Sequence, residues 1–333
     1  MDEKGLKEVF TVYRIRPSRL LASQKGYRNT SFPAVLSDGR RVNFILYKNE
    51  PGIYERIKRI NDVSSFLSRR GLPVRRPLEK RILELATPSA LRYGALYDYL
   101  SGDTIPWEGY TRNHIKLAGK AMGEMHTHLR EFGPLRNDVA AEYLQIVKRM
   151  QVYFNDADAT RALREKLDIT IPKTIFPKFI KLLEYCTTLP HQQVLHMDFV
   201  RGNLLFRHSQ PNDMFTLGDI SLSGILDFEK TAYGTPIIDV ARTLAFLLVD
   251  CKYKSPEKIR KYFLHSGYNK RSSAVSIALD SKLLDELIVL FLIHDFYKFL
   301  RHNPYEFLPQ NEHFIRTRDM LCTLGVIRYT KDR

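Results

Sequence analysis

A short polar loop carries residue types that suit phosphoryl transfer. Between the apolar stretches 194–195 and 204–206 the chain reads H-M-D-F-V-R-G-N over residues 196–203, which is the spacing H-x-D-x-x-x-x-N. An aspartate on such a loop can accept the proton of an attacking hydroxyl and hold that hydroxyl in line with a γ-phosphate. The loop is therefore the candidate active site, with Asp198 as the candidate base.

Two further side chains of this region suit a metal ion. Asn203 ends the loop, and Asp227 follows the short apolar stretch 224–226. Mg2+ takes hard oxygen ligands and is held by one or two protein groups plus phosphate oxygens. Asn203 and Asp227 are therefore predicted to bind Mg2+, which leaves Asp198 free of the metal.

The first hundred residues are predicted to form a small antiparallel sheet with one helix. Period-2 alternation indicates strands, and Ser37-Asp38-Gly39 is typical of a hairpin turn. Apolar residues at helical spacing from Ile53 to Leu67 predict a helix that Gly71 and Pro73 end. The predicted strands are 13–21, 31–36, 42–47 and 89–100.

The rest of the chain is mostly helical in pattern. Apolar stripes cover 115–129 and 139–154, short strands fall within 193–226, and helical spacing resumes at Ile238. His126 lies on the first stripe and is expected to be a packed core histidine. Because Ser101-Gly102-Asp103 interrupts the pattern, we expect an N-terminal lobe of residues 1–100 and a C-terminal lobe of residues 101–333.

These motifs resemble the aminoglycoside phosphotransferase and choline kinase-like family, which is related to protein kinases. The loop, Asp227-Phe228-Glu229, and the stretch 234–241 occur in the family's order, and the likeness spans nearly the whole chain. The resemblance implies an α+β, two-lobed protein kinase-like fold, with a small antiparallel β-sheet N-lobe that binds the nucleotide. A mainly α C-lobe would carry catalysis and acceptor binding.

The resemblance also implies roles for residues of the C-terminal lobe. Asp198 would be the catalytic base, Asn203 and Asp227 the Mg2+ ligands, and Glu229 a support for a second metal. Asp239 would anchor the loop, and His196 is expected to be structural because Asp198 is better placed for acid–base work.

In the N-terminal lobe the family carries a lysine that contacts the α- and β-phosphates. Lys48, at the end of the third strand, matches it. An acid on the following helix should orient this lysine; Glu55 is the first candidate and Asp62 the second. The remaining nucleotide-binding candidates are Gly26 and Asn29, in the phosphate-covering turn 24–31, and Tyr97 and Tyr99, near the end of the strand before the lobe boundary.

The catalytic loop departs from the family pattern at two positions. The family commonly has Gly between the His and the Asp, and His or Lys two residues after the Asp, whereas this chain has Met197 and Val200. Arg201 is one place further on. Since a guanidinium can bind a phosphoryl group with two hydrogen bonds, Arg201 is expected to contact the transferring group as a catalytic residue.

The composition narrows the class of protein further. The net charge is +15, and residues 1–100 hold 20 Lys and Arg against 10 Asp and Glu, which suits an anionic ligand and disfavours a polycationic one. Acidic residues at the N-terminus, no apolar stretch of bilayer length and three scattered cysteines predict a cytoplasmic protein without membrane segments.

The predicted function is an ATP- or GTP-dependent kinase that uses Mg2+ and phosphorylates a hydroxyl of a small metabolite or antibiotic. A protein kinase is the first alternative; Phe228-Glu229 in place of Phe-Gly, and the short interval to 233–236, disfavour it. A non-catalytic relative that binds RNA or another anion is the second alternative. It would require the base and metal residues to be coincidental.

Overall fold

A computed structural model describes residues 2–26, 28–86, 91–209, 219–251, 253–270 and 281–330. The chain forms two compact units: Met1–Thr104 with Asn203–Glu229, and Ile105–Gly202 with Lys230–Arg333. The strands are β1 Pro17–Leu20, β2 Gln24–Lys25, β3 Thr30–Leu36, β4 Arg41–Leu46, β5 Leu83–Ala86, β6 Leu91–Asp98, β7 Ile169–Thr170, β8 Gln193–Leu195, β9 Leu204–His208, β10 Ile220–Ile225, β11 Ala232–Gly234 and β12 Arg328–Tyr329. The helices are α1 Glu3–Val12, α2 Ile53–Ser68, α3 Arg112–Leu129, α4 Val139–Asn155, α5 Ala157–Leu167, α6 Ile175–Thr188, α7 Pro236–Asp250, α8 Pro256–Arg260, α9 Ser281–His302 and α10 Glu312–Thr323.

The first unit is built on an antiparallel sheet. Its strand order is β1-β3-β4-β6-β5, with β2 added to β3. The predicted turn joins β3 to β4, where the φ of Gly39 is +80° and the Leu36 N–H donates to the Arg40 carbonyl at 2.8 Å. Residues 89–90, the start of the predicted strand 89–100, lie outside the described ranges. The predicted strands 31–36 and 42–47 and the helix from Ile53 are confirmed within one or two residues.

The start of the chain is a helix, and the predicted strand 13–21 is too long. Asp2 caps α1 by accepting a hydrogen bond from the Gly5 N–H at 2.9 Å. Leu6, Val9 and Phe10 are buried in the core that the sheet covers. Burial of each such side chain contributes roughly 1.5–3 kcal/mol, so tertiary packing stabilises the helix. The strand that follows begins only at Pro17.

The hairpin of β9 and β10 belongs to the first unit. Leu204 pairs with Ile225 at one end of this antiparallel ladder. Asp103 and Phe206 exchange two backbone hydrogen bonds of 2.9 Å, and the Ile225 N–H donates to the Pro73 carbonyl at 2.7 Å. The hairpin is therefore fixed to the segments around residues 73 and 103.

The second unit is mainly helical, around α7. This helix is buried along nearly its whole length and packs against α9 and α10. On α3, Gly119 and Gly123 allow the backbone near residues 263–268 to approach, because a Cβ at Gly119 would lie 2.2 Å from the Phe263 carbonyl oxygen. The antiparallel first unit and the helical second unit confirm the predicted fold class. Within the described ranges, no helix combines the length and the apolar character that crossing a membrane requires.

Candidate active site

A buried carboxylate under the loop fixes the residues around Asp198. Strand β8 pairs with β11 and ends at Leu195, where the loop begins. The His196 N–H donates to Asp239 Oδ2 at 2.7 Å, and the Met197 N–H donates to Asp239 Oδ1 at 2.9 Å. The φ of Met197 is +62°, and such a conformation of a non-glycine residue costs about 1–3 kcal/mol. The two hydrogen bonds therefore hold a strained turn, as an anchor at Asp239 requires.

Asp239 lies in the first turn of α7 and is fully buried. His126 Nε2 lies 3.1 Å from its Oδ2, and His126 Nδ1 lies 2.9 Å from the Tyr268 hydroxyl. Burial alone would raise the pKa of Asp239, but the hydrogen bond and charge of His126, followed by His196, hold that pKa below its usual value. His126 is thus buried as predicted, and it also supports the anchor of the loop.

Asp198 is paired with a lysine that the sequence did not indicate. Its side chain is 14% exposed, and Lys230 Nζ lies 2.7 Å from its Oδ1. The Asp198 N–H donates to His196 Nδ1 at 3.2 Å, and His196 is fully buried. The structure therefore gives His196 a position within the loop scaffold and brings Asp198 to the ammonium of Lys230.

Arg201 points toward another part of the second unit. Its Nη1 donates to the Ile105 carbonyl at 2.9 Å, and its Nε lies 3.6 Å from Asp250 Oδ2. These contacts engage the guanidinium with the scaffold. The contact of Arg201 with a transferring phosphoryl group stays a prediction, and it would require the side chain to leave both partners first.

The predicted metal ligands lie at one end of the β9–β10 hairpin. The Leu226 N–H donates to the Asn203 carbonyl at 2.8 Å, which places Asp227 just beyond the paired ends. Asp227 has a φ of +58°, and its Oδ1 accepts a hydrogen bond from the Glu229 N–H at 3.2 Å. Burial and the neighbouring charge of Asp227 raise the pKa of Glu229, although a hydrogen bond from Asn29 opposes the change.

This arrangement fits a divalent cation. Two carboxylates share a half-buried position, so a bound cation would offset their repulsion, and the oxygen donors are those that Mg2+ prefers. Across the residues that the structure describes, no group of three or more His, Cys, Asp or Glu side chains could hold a metal. Asn203, the other predicted ligand, directly precedes β9 of the same hairpin.

Lys48 shares its carboxylate neighbour with two arginines. Lys48 Nζ lies 3.7 Å from Glu50 Oε1, and Arg56 Nη1 and Arg28 Nη1 lie 2.9 and 3.6 Å from Glu50 Oε2. The Arg56 hydrogen bond and the charges of Arg28 and Lys48 hold the pKa of Glu50 below its usual value. Glu55 is exposed on α2, so the acid that the structure places beside Lys48 is Glu50.

Sequence reasoning missed this cluster because Glu50 precedes the helix on which an acid was expected. The Glu50 carboxylate faces three cations, so the cluster carries a surplus of positive charge that suits phosphate oxygens. The short spacing from Lys48 to Glu50 was the one signal that could have found it. Asp62, the second candidate, is exposed like Glu55.

Asn29 connects the predicted phosphate-covering turn to Lys48 and to Glu229, all within the first unit. The Gly26 N–H donates to the Asn29 carbonyl at 2.9 Å and closes the turn, in which Tyr27 lies outside the described residues. Asn29 Oδ1 accepts from the Lys48 N–H at 3.1 Å, and its Nδ2 donates to the Glu229 carboxylate. One amide thus ties the turn to Lys48 and to Glu229.

Tyr97 is inside the first unit rather than on its surface. Its hydroxyl donates to Asn61 Oδ1 at 2.8 Å and lies 2.7 Å from the Tyr47 hydroxyl, and its side chain is fully buried. Burial raises the pKa of Tyr47 to about 12. The side chain of Tyr97 is therefore directed into the core, and its predicted role in nucleotide binding stays a prediction. Tyr99 is partly exposed, with the Arg41 guanidinium carbon 5.7 Å from its ring centroid.

An ion pair between the buried Arg242 and Asp295, which is 15% exposed, lies near the base in the second unit. Arg242 donates two hydrogen bonds of 2.8 and 3.0 Å to Asp295, and Lys298 Nζ lies 2.9 Å from Asp295 Oδ1. Burial would raise the pKa of Asp295, but Arg242 and then Lys298 hold it well below its usual range. Burial and Arg242 lower the pKa of His294 to about 3, so that imidazole is neutral at neutral pH. The charge of Asp198 also acts on Arg242.

Comparison with known families identifies the class of this protein. The model of the phosphotransferase enzyme family matches residues 22–253, which is well over half of the chain. The chain belongs to this family, whose members include phosphotransferases of small molecules and antibiotics. The predicted family and the predicted enzyme class, a phosphotransferase, are confirmed.

Solved structures share the fold at low sequence identity. An amicoumacin kinase in complex with AMP-PNP, Ca2+ and Ami matches with a TM-score of 0.67 and 14% identity, covering 98% of this chain and 95% of its own. A microcompartment-associated aminopropanol kinase matches with a TM-score of 0.65 and 14% identity, covering 98% and 99%. A spectinomycin phosphotransferase in complex with ADP and its antibiotic matches with a TM-score of 0.55 and 15% identity, covering 96% and 94%. A search of curated proteins by sequence gave no match.

Proposed function

We propose that the protein transfers the γ-phosphoryl group of ATP or GTP to a hydroxyl of a small metabolite or antibiotic, with Mg2+ as cofactor. The observation that carries this proposal is the anchored loop: two hydrogen bonds to the buried Asp239 fix the turn from which Asp198 projects. The family match and the nucleotide complexes of the amicoumacin kinase and the spectinomycin phosphotransferase support it.

In this proposal the first unit binds the nucleotide. Lys48 and the arginines around Glu50 supply positive charge for the phosphate oxygens. The turn that the Gly26–Asn29 hydrogen bond closes would offer its other backbone N–H groups. Asn203 and Asp227 would hold Mg2+, with Glu229 beside them. When bound, the ion would neutralise charge on the phosphates and align them.

In the second unit Asp198 orients the acceptor hydroxyl and takes its proton. The acceptor oxygen attacks the γ-phosphorus, the bond to the β–γ bridging oxygen breaks, and the nucleoside diphosphate leaves with that electron pair. The proton passes to the Asp198 carboxylate. The net positive charge of the chain favours a neutral or anionic acceptor over a polycation.

A screen of hydroxylated metabolites and antibiotics for acceptor-dependent ADP or GDP release tests the proposal. Asp198→Asn should lower turnover by about 10²–10⁴-fold, because a positioned general base contributes about that much. Asp158→Asn is the matched control, since Asp158 is 80% exposed and is also paired with a cation, Arg161. Full turnover of Asp198→Asn would overturn the assigned mechanism.

The proposed role of Lys48 in nucleotide binding is tested separately. Lys48→Met should weaken binding of Mg-ADP about tenfold in calorimetry, because a phosphate-facing ammonium is lost. Lys58→Met, which removes an exposed lysine from α2 of the same unit, should leave binding unchanged. Equal affinities of the two variants would argue against the assignment of Lys48.

A further inference from the structure

The ion pair between Asp198 and Lys230 joins two parts of the second unit. The lysine nitrogen lies 2.7 Å from Asp198 Oδ1, and the side chains are 54% and 14% exposed respectively. The two residues are 32 positions apart in the sequence. The cation on the candidate base therefore comes from outside the loop that carries the base.

The backbone around Lys230 is held in place. Lys230 precedes β11, in which Ala232 pairs with Leu195 at the end of β8. The adjacent Thr231 carbonyl accepts a hydrogen bond from Asn137 Nδ2 at 2.7 Å. Since β8 leads directly into the loop and Lys230 lies just before β11, the pairing of β8 with β11 fixes the backbone of Lys230 relative to the start of the loop.

The loop itself provides no such cation. Val200 stands two positions after Asp198, and Arg201 is engaged with Ile105 and Asp250. Lys230 is a basic side chain that the structure brings within hydrogen-bond distance of Asp198.

We infer that Lys230 is a positioning residue for the phosphoryl-transfer reaction, and this inference rests on the proposed function. By binding Oδ1, the ammonium holds the Asp198 carboxylate in one orientation toward the acceptor hydroxyl. A half-exposed ion pair adds little to folding stability, so its main effect is on geometry. Small misplacements of a catalytic group can cost about 100-fold in rate.

The test compares variants of two similar lysines in the full-length protein. Lys166 is the matched control, because its Nζ lies 2.7 Å from Glu306 and its side chain is 52% exposed. With Mg-ATP and the best acceptor from the screen, Lys230→Met should lower kcat by about 10–100-fold and leave the nucleotide KM within about twofold. Lys230→Arg should recover most of the rate, and Lys166→Met should behave like the parent protein. If Lys230→Met does not fold, Lys230→Gln, which also lacks the charge but keeps a polar side chain, replaces it in each comparison.

The Asp198→Asn background separates this inference from the proposed function. If Lys230 acts through the carboxylate, adding Lys230→Arg or Lys230→Met to Asp198→Asn should change the residual rate less than about twofold. Two results would overturn this inference and leave the proposed function standing. One is a kcat of Lys230→Met equal to that of Lys166→Met. The other is a fall in rate on adding Lys230→Met to Asp198→Asn as large as the fall it causes in the parent protein. Full turnover of Asp198→Asn would instead overturn the proposed function.

Discussion

Replacing Asp239 with Asn tests whether one buried carboxylate holds the loop that carries Asp198. The carboxylate accepts the N–H groups of His196 and Met197, and His126 lies 3.1 Å from it. An asparagine has the same shape but only one oxygen. One of the two backbone N–H groups would therefore face an NH2 group.

The size of the effect follows from these contacts. A buried donor left without an acceptor costs about 1–3 kcal/mol, and a hydrogen bond to a charged group contributes about 1.5–3 kcal/mol. We therefore expect Asp239→Asn to destabilise the second unit by about 3 kcal/mol. For a folded unit of about 200 residues this corresponds to a melting temperature lower by roughly 6–12 °C.

Scanning calorimetry at pH 7.5 measures the change, and acceptor-dependent turnover shows its effect on the loop. Thr243→Val is the matched control on the same helix: Thr243 is 1% exposed, and its hydroxyl finds no hydrogen-bond partner among the described residues. It should melt within about 2 °C of the parent protein. If Asp239→Asn melts like Thr243→Val and keeps full turnover, the reasoning about the anchor is wrong.

Three further results are expected. Glu229→Gln removes a charge that burial and Asp227 disfavour, so the ligand-free protein should melt slightly higher while binding of Mg-ADP weakens, as fluorimetry with and without ligand would show. Arg242→Met leaves Asp295 buried without its bidentate partner and should lower the unfolding free energy by about 3–5 kcal/mol; a loss below about 1 kcal/mol would contradict this. Because the pKa of Asp295 is lower in the folded than in the unfolded protein, ionised Asp295 stabilises the fold at pH values above its unfolded pKa of about 4. This stabilisation is lost as the pH falls through the folded pKa. The loss of unfolding free energy caused by Asp295→Asn should therefore shrink from pH 5 toward pH 2.

Local pattern was sufficient for most elements of the fold. Alternation around the turn at Gly39 predicted β3 and β4, and apolar spacing predicted α2 and α3, because one buried face of a strand or helix imposes its own period. Helix α1 was missed although its sequence carries a helical signal, because Asp2 caps it and Leu6, Val9 and Phe10 recur at helical spacing. Only the tertiary structure shows that this apolar face packs in the core under the sheet.

Some residues of the candidate site were likewise predictable from sequence, and others were not. The spacing of the loop placed Asp198 beside Asn203 in sequence, and the hairpin brings Asp227 next to the end of that loop. The sequence did not indicate that Arg201 donates to the Ile105 carbonyl or that Glu50 lies beside Lys48. Both depend on which way a long side chain turns, and neighbours from other elements decide that.

The sequence by itself determined the class of chemistry and the family, because the order and spacing of a few polar residues between apolar strands are properties of the chain alone. The tertiary structure decided the partners that the motifs did not indicate: Lys230 on Asp198 and Asn29 on Glu229. Hydrogen bonds and ion pairs act over only a few ångströms, so residues far apart in sequence become partners only after the strands and helices that carry them have packed.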